Sequence, residues 1–539
     1  MTRSALETLE KRTLLASSPI TFGSSLNDGV FAAVALEDGG QVVAGTFGGT
    51  VDFQPGSAVT ALTSRGQSDI FVARYSVRGK LIWVSQIGGA AGKIKDKISY
   101  STVQATTGDF ENRVGPTIDG QGEYLSTLKV AGELVYIGGS FQGTADFNPA
   151  PDRTSNRKAV GYHDAFVAKL FLSNGGLSSA FTFGGRFDDT VKDLAVAANG
   201  DVIATGYFTR DADFDPFSGV TMRLADGRDD IFVARYGTDD RLQWVYTAGG
   251  QAVDLQERDS GEGIALDSAG NIYVTGSFAG KADFDPSRSK LIVRAIGRTD
   301  GFLLRLSPRG KLDYIQSFGG EEYDSGKNIL IDSSDRLYLS GYFSEIADLD
   351  PGDGESRFTA REDGDLFDTD TDNEGVDLVD LFVGRYSLTG TPDFIRQIGG
   401  DDYEYLGSMA LDGTNGGVMV TGSFAGRITF VGNPANDLVS VEGDDDFDDD
   451  SRRDSSYDVF VARYDAAGAL MSAVKFGGNG DDWGTAIAQP IVNSNAPIGG
   501  IFRNTASFNL STPGASPKQR SAGLQDAFFF TLNLVDDLS

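Results

Sequence analysis

The 539-residue chain contains no cysteine, so it can form no disulfide and no thiolate metal site. Its one histidine, His163, excludes a histidine-ligated metal cluster, and a Ser-His-Asp triad could use only that residue. Basic residues are scarce: 46 Lys and Arg stand against 77 Asp and Glu, a net charge of −31. Nucleic acid and anionic membrane surfaces both need positive charge. Neither is an expected partner, and cations are the natural counter-ions. No apolar run reaches the roughly 18 to 20 residues of a membrane-spanning helix. The first residues also lack the apolar core of about 7 to 15 residues that marks a secretory signal peptide. No G-x-S-x-G, Walker A or strand-linked G-x-G-x-x-G occurs. Trp83, Trp244 and Trp483 are too scattered to declare a sugar-stacking platform.

What the chain has is repetition. The triplet Asp-x-Phe opens an apolar run seven times, at Asp69, Asp164, Asp230, Asp300, Asp380, Asp458 and Asp526. Three places after the Phe stands Arg74, Lys169, Arg235, Arg305, Arg385 or Arg463, and in the seventh copy Thr531. The spacing is about 65 to 95 residues, and a repeat of this kind decides fold before any single residue does.

The fourth copy shows the unit. Gly263–Asp267 reads as a short apolar strand and Ser268–Asn271 as a turn. Ile272–Phe278 reads as a second strand, and Ala282-Asp283-Phe284-Asp285-Pro286 opens a polar loop. Asp300–Leu306 and Leu312–Phe318 supply the third and fourth strands, ending in Gly319-Gly320. The second and third strands are apolar on both alternations, so each sheet should be covered on both faces. Radial packing achieves that, which makes the expected fold an all-β, seven-bladed β-propeller with four antiparallel strands per blade. Many of the 70 glycines then serve tight turns and close sheet approach. The seventh third-type strand, Asp526 to Leu532, has no fourth strand after it. Pro19-Ile20-Thr21-Phe22-Gly23 matches Ala180-Phe181-Thr182-Phe183-Gly184, so the N-terminal strand is expected to close the last blade.

The turn Asp267–Gly276 (DSAGNIYVTG) and the strand Asp230–Tyr236 (DIFVARY) resemble the bacterial β-propeller repeat called SBBP. The resemblance spans residues 17–534 and implies fold rather than activity, with surface or secreted placement. At the N-terminus, Leu9, Glu10, Arg12, Leu14 and Leu15 resemble a bacterial LEPR-xLL sorting segment, with Lys11 in place of proline; the alternative is a short amphipathic helix. The expected organisation is a sorting segment over 1–16, the propeller over 17–534 and a tail over 535–539. Long loops are expected at 90–120, 352–378 and 432–456. The expected location is extracellular or cell-surface.

The second-to-third loops and the connections between blades should gather acids on one rim. Asp-x-Asp spacing with oxygen-only ligands suits Ca²⁺. The full pair occurs at Asp213/Asp215, Asp283/Asp285 and Asp348/Asp350, while Asp52/Gln54 and Asp146/Asn148 hold weaker versions. A structural reading competes, in which these carboxylates accept loop N–H groups or pair with arginine. Asp368, Asp370 and Asp372 begin like a calcium loop. Asn373 and Val379 stand where an EF-hand needs Gly and Glu, so the loop is not an EF-hand. Asp444 to Asp450 is almost pure acid.

Paired carboxylates could cleave glycosides. A catalytic pair should break the repeat rather than obey it. Composition and repeat therefore favour a non-catalytic interaction or structural module of the cell envelope, stabilised by calcium, whose partner is an envelope protein or a glycan. The rival is a glycan-binding or glycan-cleaving enzyme using rim carboxylates. An integrin-type FG-GAP calcium propeller would need acidic first-to-second turns, where this chain has mostly Gly, Asn and Ser.

Overall fold

In the fourth unit, Ser260–Leu266, Ile272–Asp283, Ile292–Leu306 and Leu312–Gly320 pair in order as an antiparallel meander. The computed structural model describes residues 15–16, 19–54, 59–89, 122–251, 258–285, 287, 290–352, 354–361, 379–400, 404–413, 416–430, 437–440, 456–491, 495–508 and 518–533. Among them every regular element is a strand and every named strand pair is antiparallel. Equivalent meanders begin at Gly29–Ala35, Tyr124–Ala131, Asp189–Val196, Ser325–Ile331 and Glu404–Asp412. The C-terminal group is Trp483–Ile487, Asn495–Phe502 and Asp526–Asn533. Ile20–Phe22 lies against the last of these, with Ile20 opposite Phe529 and Phe22 opposite Ala527.

Two second strands are buried end to end: no residue of Gln41–Phe47 or Gly417–Phe424 is exposed. The apolar clusters lie between neighbouring sheets. Phe181, Val191 and Leu194 pack with Phe232 across one interface, and Ile231 and Val233 pack with Ile264, Val274 and Phe302 across the next. A fully buried Phe contributes about 1.5 to 3 kcal/mol, so the interfaces carry much of the stability.

The second and third strands run further than the sequence pattern predicts. Ile272–Asp283 and Ile292–Leu306 continue past Phe278 and before Asp300 as a two-stranded arm. The arm starts at a bulge between Ala279 and Lys281, where Gly280 has φ +56°. In the other units Gly49, Gly143, Arg210, Glu345, Gly426 and Asn504 take this place, all with positive φ.

Two expected loops are corrected in the same way. Arg357–Thr359 pairs with Ile346–Asp348 inside 352–378, and Leu438–Val439 pairs with Arg427–Phe430 inside 432–456, because each completes an arm. Leu15–Ala16 pairs with Asn533 and Leu532, so the end of the sorting-like segment joins a sheet instead of lying apart from it. Residues 1–14 and the insertion 90–120 lie outside the described residues.

Glu345 holds φ +48° where a glycine stands in four of the other units. The left-handed region costs an L-residue roughly 1 to 2 kcal/mol, against about 0.5 to 1 kcal/mol of added chain entropy for glycine. Glu345→Gly should therefore raise the unfolding free energy by about 0.5 to 1 kcal/mol, read as a higher urea midpoint at unchanged slope.

Candidate functional site

Each part of the repeated motif has a place. The Asp-x-Phe phenylalanine sits directly opposite the glycine of the second strand in every copy: Phe71 opposite Gly45, Phe166 opposite Gly139, Phe302 opposite Gly276 and Phe528 opposite Gly500, among others. A side chain on that glycine would meet the first strand's carbonyl, at Ser260 for Gly276. The motif aspartates are all buried. Five of them accept the amide four residues earlier: Arg65 on Asp69 at 3.0 Å, Val160 on Asp164 at 3.0 Å, Asp226 on Asp230 at 3.1 Å, Ile296 on Asp300 at 3.1 Å and Ala522 on Asp526 at 2.9 Å. They shape the return of the arm into the third strand.

The basic residue closes the opposite rim. Arg74 donates to Asp38 at 2.6 Å and to the Leu172 carbonyl of the next unit at 3.0 Å. Arg235 likewise reaches Asp201 and the Pro308 carbonyl, each at 3.0 Å. Lys169 reaches Asp240 of the next unit at 2.6 Å.

A second set of acids, at the start of the first strands, forms the site that dominates the seams. Asp189 accepts Gly185 N at 2.6 Å and Thr209 N at 3.3 Å. Asp259 accepts Gly250 N at 2.9 Å and Ala279 N at 2.8 Å. Asp324 accepts Gly320 N and Ser344 N, Asp482 accepts Gly478 N and Arg503 N, and Asp28 accepts Ser24 N and Gly48 N. Glu123 and Glu404, also buried, begin the equivalent strands of the remaining units. The clamps of Asp189, Asp259, Asp324 and Asp482 each hold a Gly-Gly strand end that pairs with the next unit's arm, as Gly249 and Gly250 pair with Asp283 and Ala282, whereas Asp28 holds Ser24 after Gly23. A Cβ on Gly250 would overlap the Lys281 carbonyl.

The clamping acid of one seam faces the motif aspartate of the preceding unit. Burial, with repulsion from Asp300, pushes Asp324 to about 8; burial and Asp69 push Glu123 to about 9. Burial raises Asp28 to about 7, opposed by amide hydrogen bonds, with Asp526 adding repulsion. Asp189, Asp259 and Asp482 are pushed well above the carboxylate range by burial, with Asp164, Asp230 and Asp458 as the repelling neighbours. Burial raises Asp230 to about 7 and Asp300 to about 6. The Asp-x-Phe aspartates were legible as the mark of the repeat. Of their buried acid partners, Asp189, Asp259, Asp324, Glu404 and Asp482 appear in the sequence as acids following Gly-Gly, while Asp28 and Glu123 carry no such mark.

The Asp-x-Asp pairs sit at the arm tips, and the residue between them explains the spacing. Phe214, Phe284 and Leu349 are fully buried plugs. Asp213 Oδ1 accepts Asp215 N at 3.1 Å and Thr221 N at 2.7 Å, and Asp215 Oδ1 accepts Phe217 N at 2.9 Å. Asp283 and Asp285 repeat this with Leu291 N at 2.9 Å and Ser287 N at 3.0 Å; Asp348 and Asp350 repeat it with Ser356 N and Gly352 N. Asp52 and Asp146 hold their loops in the same way. Among the described residues no three acids converge as a metal cluster. Asp368, Asp370, Asp372 and the 444–450 acids lie outside the described residues.

One sector of the acid-bearing rim is asymmetric. His163 Nδ1 lies 2.8 Å from Asp188 Oδ1. Arg228 and Arg258 flank the buried Asp229 at 3.6 and 3.3 Å, and Arg258 lies over the Tyr207 ring at 5.2 Å. Lys192 pairs with Glu262 at 3.2 Å beside the same ring. Elsewhere Trp483 stacks on Tyr457 at 4.5 Å and meets Tyr405 edge-on, but both Trp483 and Tyr457 are buried.

Residues 251–277 match the SBBP family, a β-propeller repeat. With the face-to-face packing of successive antiparallel sheets, this gives a β-propeller-type repeat architecture. No curated protein matches the chain. Among solved structures, the chain aligns with the β-propeller domain of Cps50 (Swd1) from Myceliophteria thermophila at 7% identity and TM-score 0.39, covering 97% of this chain and 100% of that one. It aligns with quinohemoprotein alcohol dehydrogenase from Comamonas testosteroni at 11% identity and TM-score 0.40, covering 96% and 76%. The WD40 repeats of RRP9 align at 7% identity and TM-score 0.34, covering 76% and 94%.

Asp283→Ala leaves two arm-tip amides without their acceptor, whereas Asp283→Asn keeps the single oxygen, Oδ1, that both amides use. The alanine variant should lose about 1 to 3 kcal/mol and the asparagine variant under half of that, measured by urea unfolding.

Proposed function

We propose that the chain is a seven-bladed propeller, closed by its N-terminal strand, that serves as a non-catalytic interaction module. The observation carrying this reading is a cycle of contacts among first strands. Tyr124–Ala131 packs on Asp189–Val196, and the series runs on through Ser260–Leu266, Ser325–Ile331, Glu404–Asp412 and Trp483–Ile487. From there it reaches Gly29–Ala35, which packs back on Tyr124–Ala131. Phe22 supports the same closure: its ring meets Phe53 and Phe71 of the first unit and Phe529 of the last. A ring so built offers its inter-unit connections and arm returns on one rim, with the His163–Asp188 and Arg258–Tyr207 sector as its most varied surface. The raised carboxyl pKa values recur from seam to seam and belong to buried side chains, which favours a structural role for them over the glycan-cleaving alternative.

The location we propose is extracellular or cell-surface, on the strength of the sorting-like segment, and the partner an envelope protein, with a glycan as the alternative ligand. Calcium is proposed as a stabilising ion at the arm tips, where loop amides take Oδ1 of Asp213, Asp283 and Asp348. The loop with Asp368, Asp370 and Asp372 is the other candidate.

Three measurements test this reading. Phe22→Ala should cost about 3 to 5 kcal/mol, as for a core phenylalanine; a loss under about 1 kcal/mol would mean that the N-terminal strand closes nothing. The immobilised chain should retain an envelope protein from a membrane and wall extract, and lose it when the rim residues Arg228 and Arg258 are changed to alanine. Millimolar Ca²⁺ should raise the melting temperature beyond Na⁺ at matched ionic strength, and equal shifts would leave only screening.

A further inference from the structure

At the seams of Gly184 and Gly477 the strand end brings two carboxyl groups to one place. A Cβ on Gly184 would lie 2.7 Å from Asp189 Oδ2 and 3.2 Å from Asp164 Oδ1, so the two acids of that seam border the same small volume. At the seam of Asp230 and Asp259 the donors are unequally shared. Asp259 has an amide on each oxygen, from Gly250 and Ala279. Asp230 has the Asp226 amide on Oδ2, while its Oδ1 is buried without a hydrogen-bond partner. Asp526 repeats this: Ala522 N serves Oδ2, and Oδ1 is buried and unserved beside Asp28, whose oxygens take Ser24 N and Gly48 N. The unserved oxygen belongs to the motif aspartate in both seams.

Two buried carboxylates facing one another cannot both stay ionised at low cost. A carboxylic O–H on one of them would satisfy the orphan atom and remove the repulsion together. The amides crowding the other oxygens are donors, which suit a carboxyl group and leave few acceptors for a metal ion. We infer that these seams are closed by a proton shared between two buried carboxyl groups, so that the cohesion of neighbouring sheets falls as pH rises.

The other charged groups at these seams are identifiable. Asp226 and Asp229 face the Asp230–Asp259 pair, and Arg228 and Arg258 flank Asp229. The Asp28–Asp526 pair is bordered by Ser24, Gly48, Ala522 and Gly523, none of them charged. The sign follows from linkage. Carboxyls raised in the fold bind protons there that the unfolded chain, with carboxyls near 4, has already released. Stability is therefore greatest at low pH and is lost as pH rises through the folded values of about 7 for Asp28 and Asp230. The inference at Asp230–Asp259 stands without ring closure; that at Asp28–Asp526 shares it.

Asparagine at position 230 or 526 keeps an oxygen for the served amide and places an NH₂ where the orphan oxygen was, copying the protonated pair. Urea unfolding should be followed from pH 5 to 9 in EDTA for the wild type, Asp230→Asn, Asp526→Asn and the exposed control Asp239→Asn. The wild type should weaken steadily as pH rises. Each seam variant should match it at pH 5, exceed it at pH 8.5, and release about one proton fewer on unfolding at pH 6; the control should track the wild type. Seam variants that run parallel to the wild type, below it at every pH, would overturn the inference. So would Ca²⁺ abolishing the wild-type loss at pH 8.5, which would make a cation the seam's partner.

Discussion

The burial of a carboxylate against backbone amides is the interaction on which the rest of this structure depends. At every seam but that of Asp28, the Gly-Gly end of one sheet crosses close to the next sheet's arm, and its amides need acceptors away from water. An acid at the head of the next first strand supplies them, serving the second glycine and the end of the second strand together. Desolvation raises the acid's pKa, and the amide bonds repay part of that cost. The two glycines follow from the crowding, since a side chain there would overlap the clamp or the arm.

This arrangement changes how the charge of the chain reads. Burial pushes Glu123 to about 9 and Asp324 to about 8, which favours their neutral forms near pH 7 and brings the folded charge below the formal −31 in magnitude. The remaining acids are organised in part by the opposite rim. There Arg74 and Arg235 tie their own first turns to the following unit, and Lys169 reaches the following unit's Asp240. Thr531 interrupts that pattern where the C-terminal group meets the N-terminal strand.

Most strands could be read from the alternation of apolar residues and the Gly/Asn turns. The arms could not. Met222, Leu224, Ile292 and Ile296 are exposed on strands with one covered side, and they are separated from the core strands by bulges at Arg210 and Gly280. Such short ribbons between polar turns carry no period long enough to detect. The Asp-x-Asp spacing was legible as a motif, but its cause was not: Phe214 and Phe284 plug the core between two loop-capping carboxylates.

The repeat of Asp-x-Phe, the basic residue and Gly-Gly is written in the chain, and because each copy must make the same local bonds, the sequence by itself determined the antiparallel units and their boundaries. Which acids face one another was decided only by the tertiary structure. Asp230 and Asp259 belong to different units, as do Asp28 and Asp526, which stand at opposite ends of the chain. Their meeting depends on how sheets pack, and packing of whole sheets is a non-local property that no residue spacing encodes.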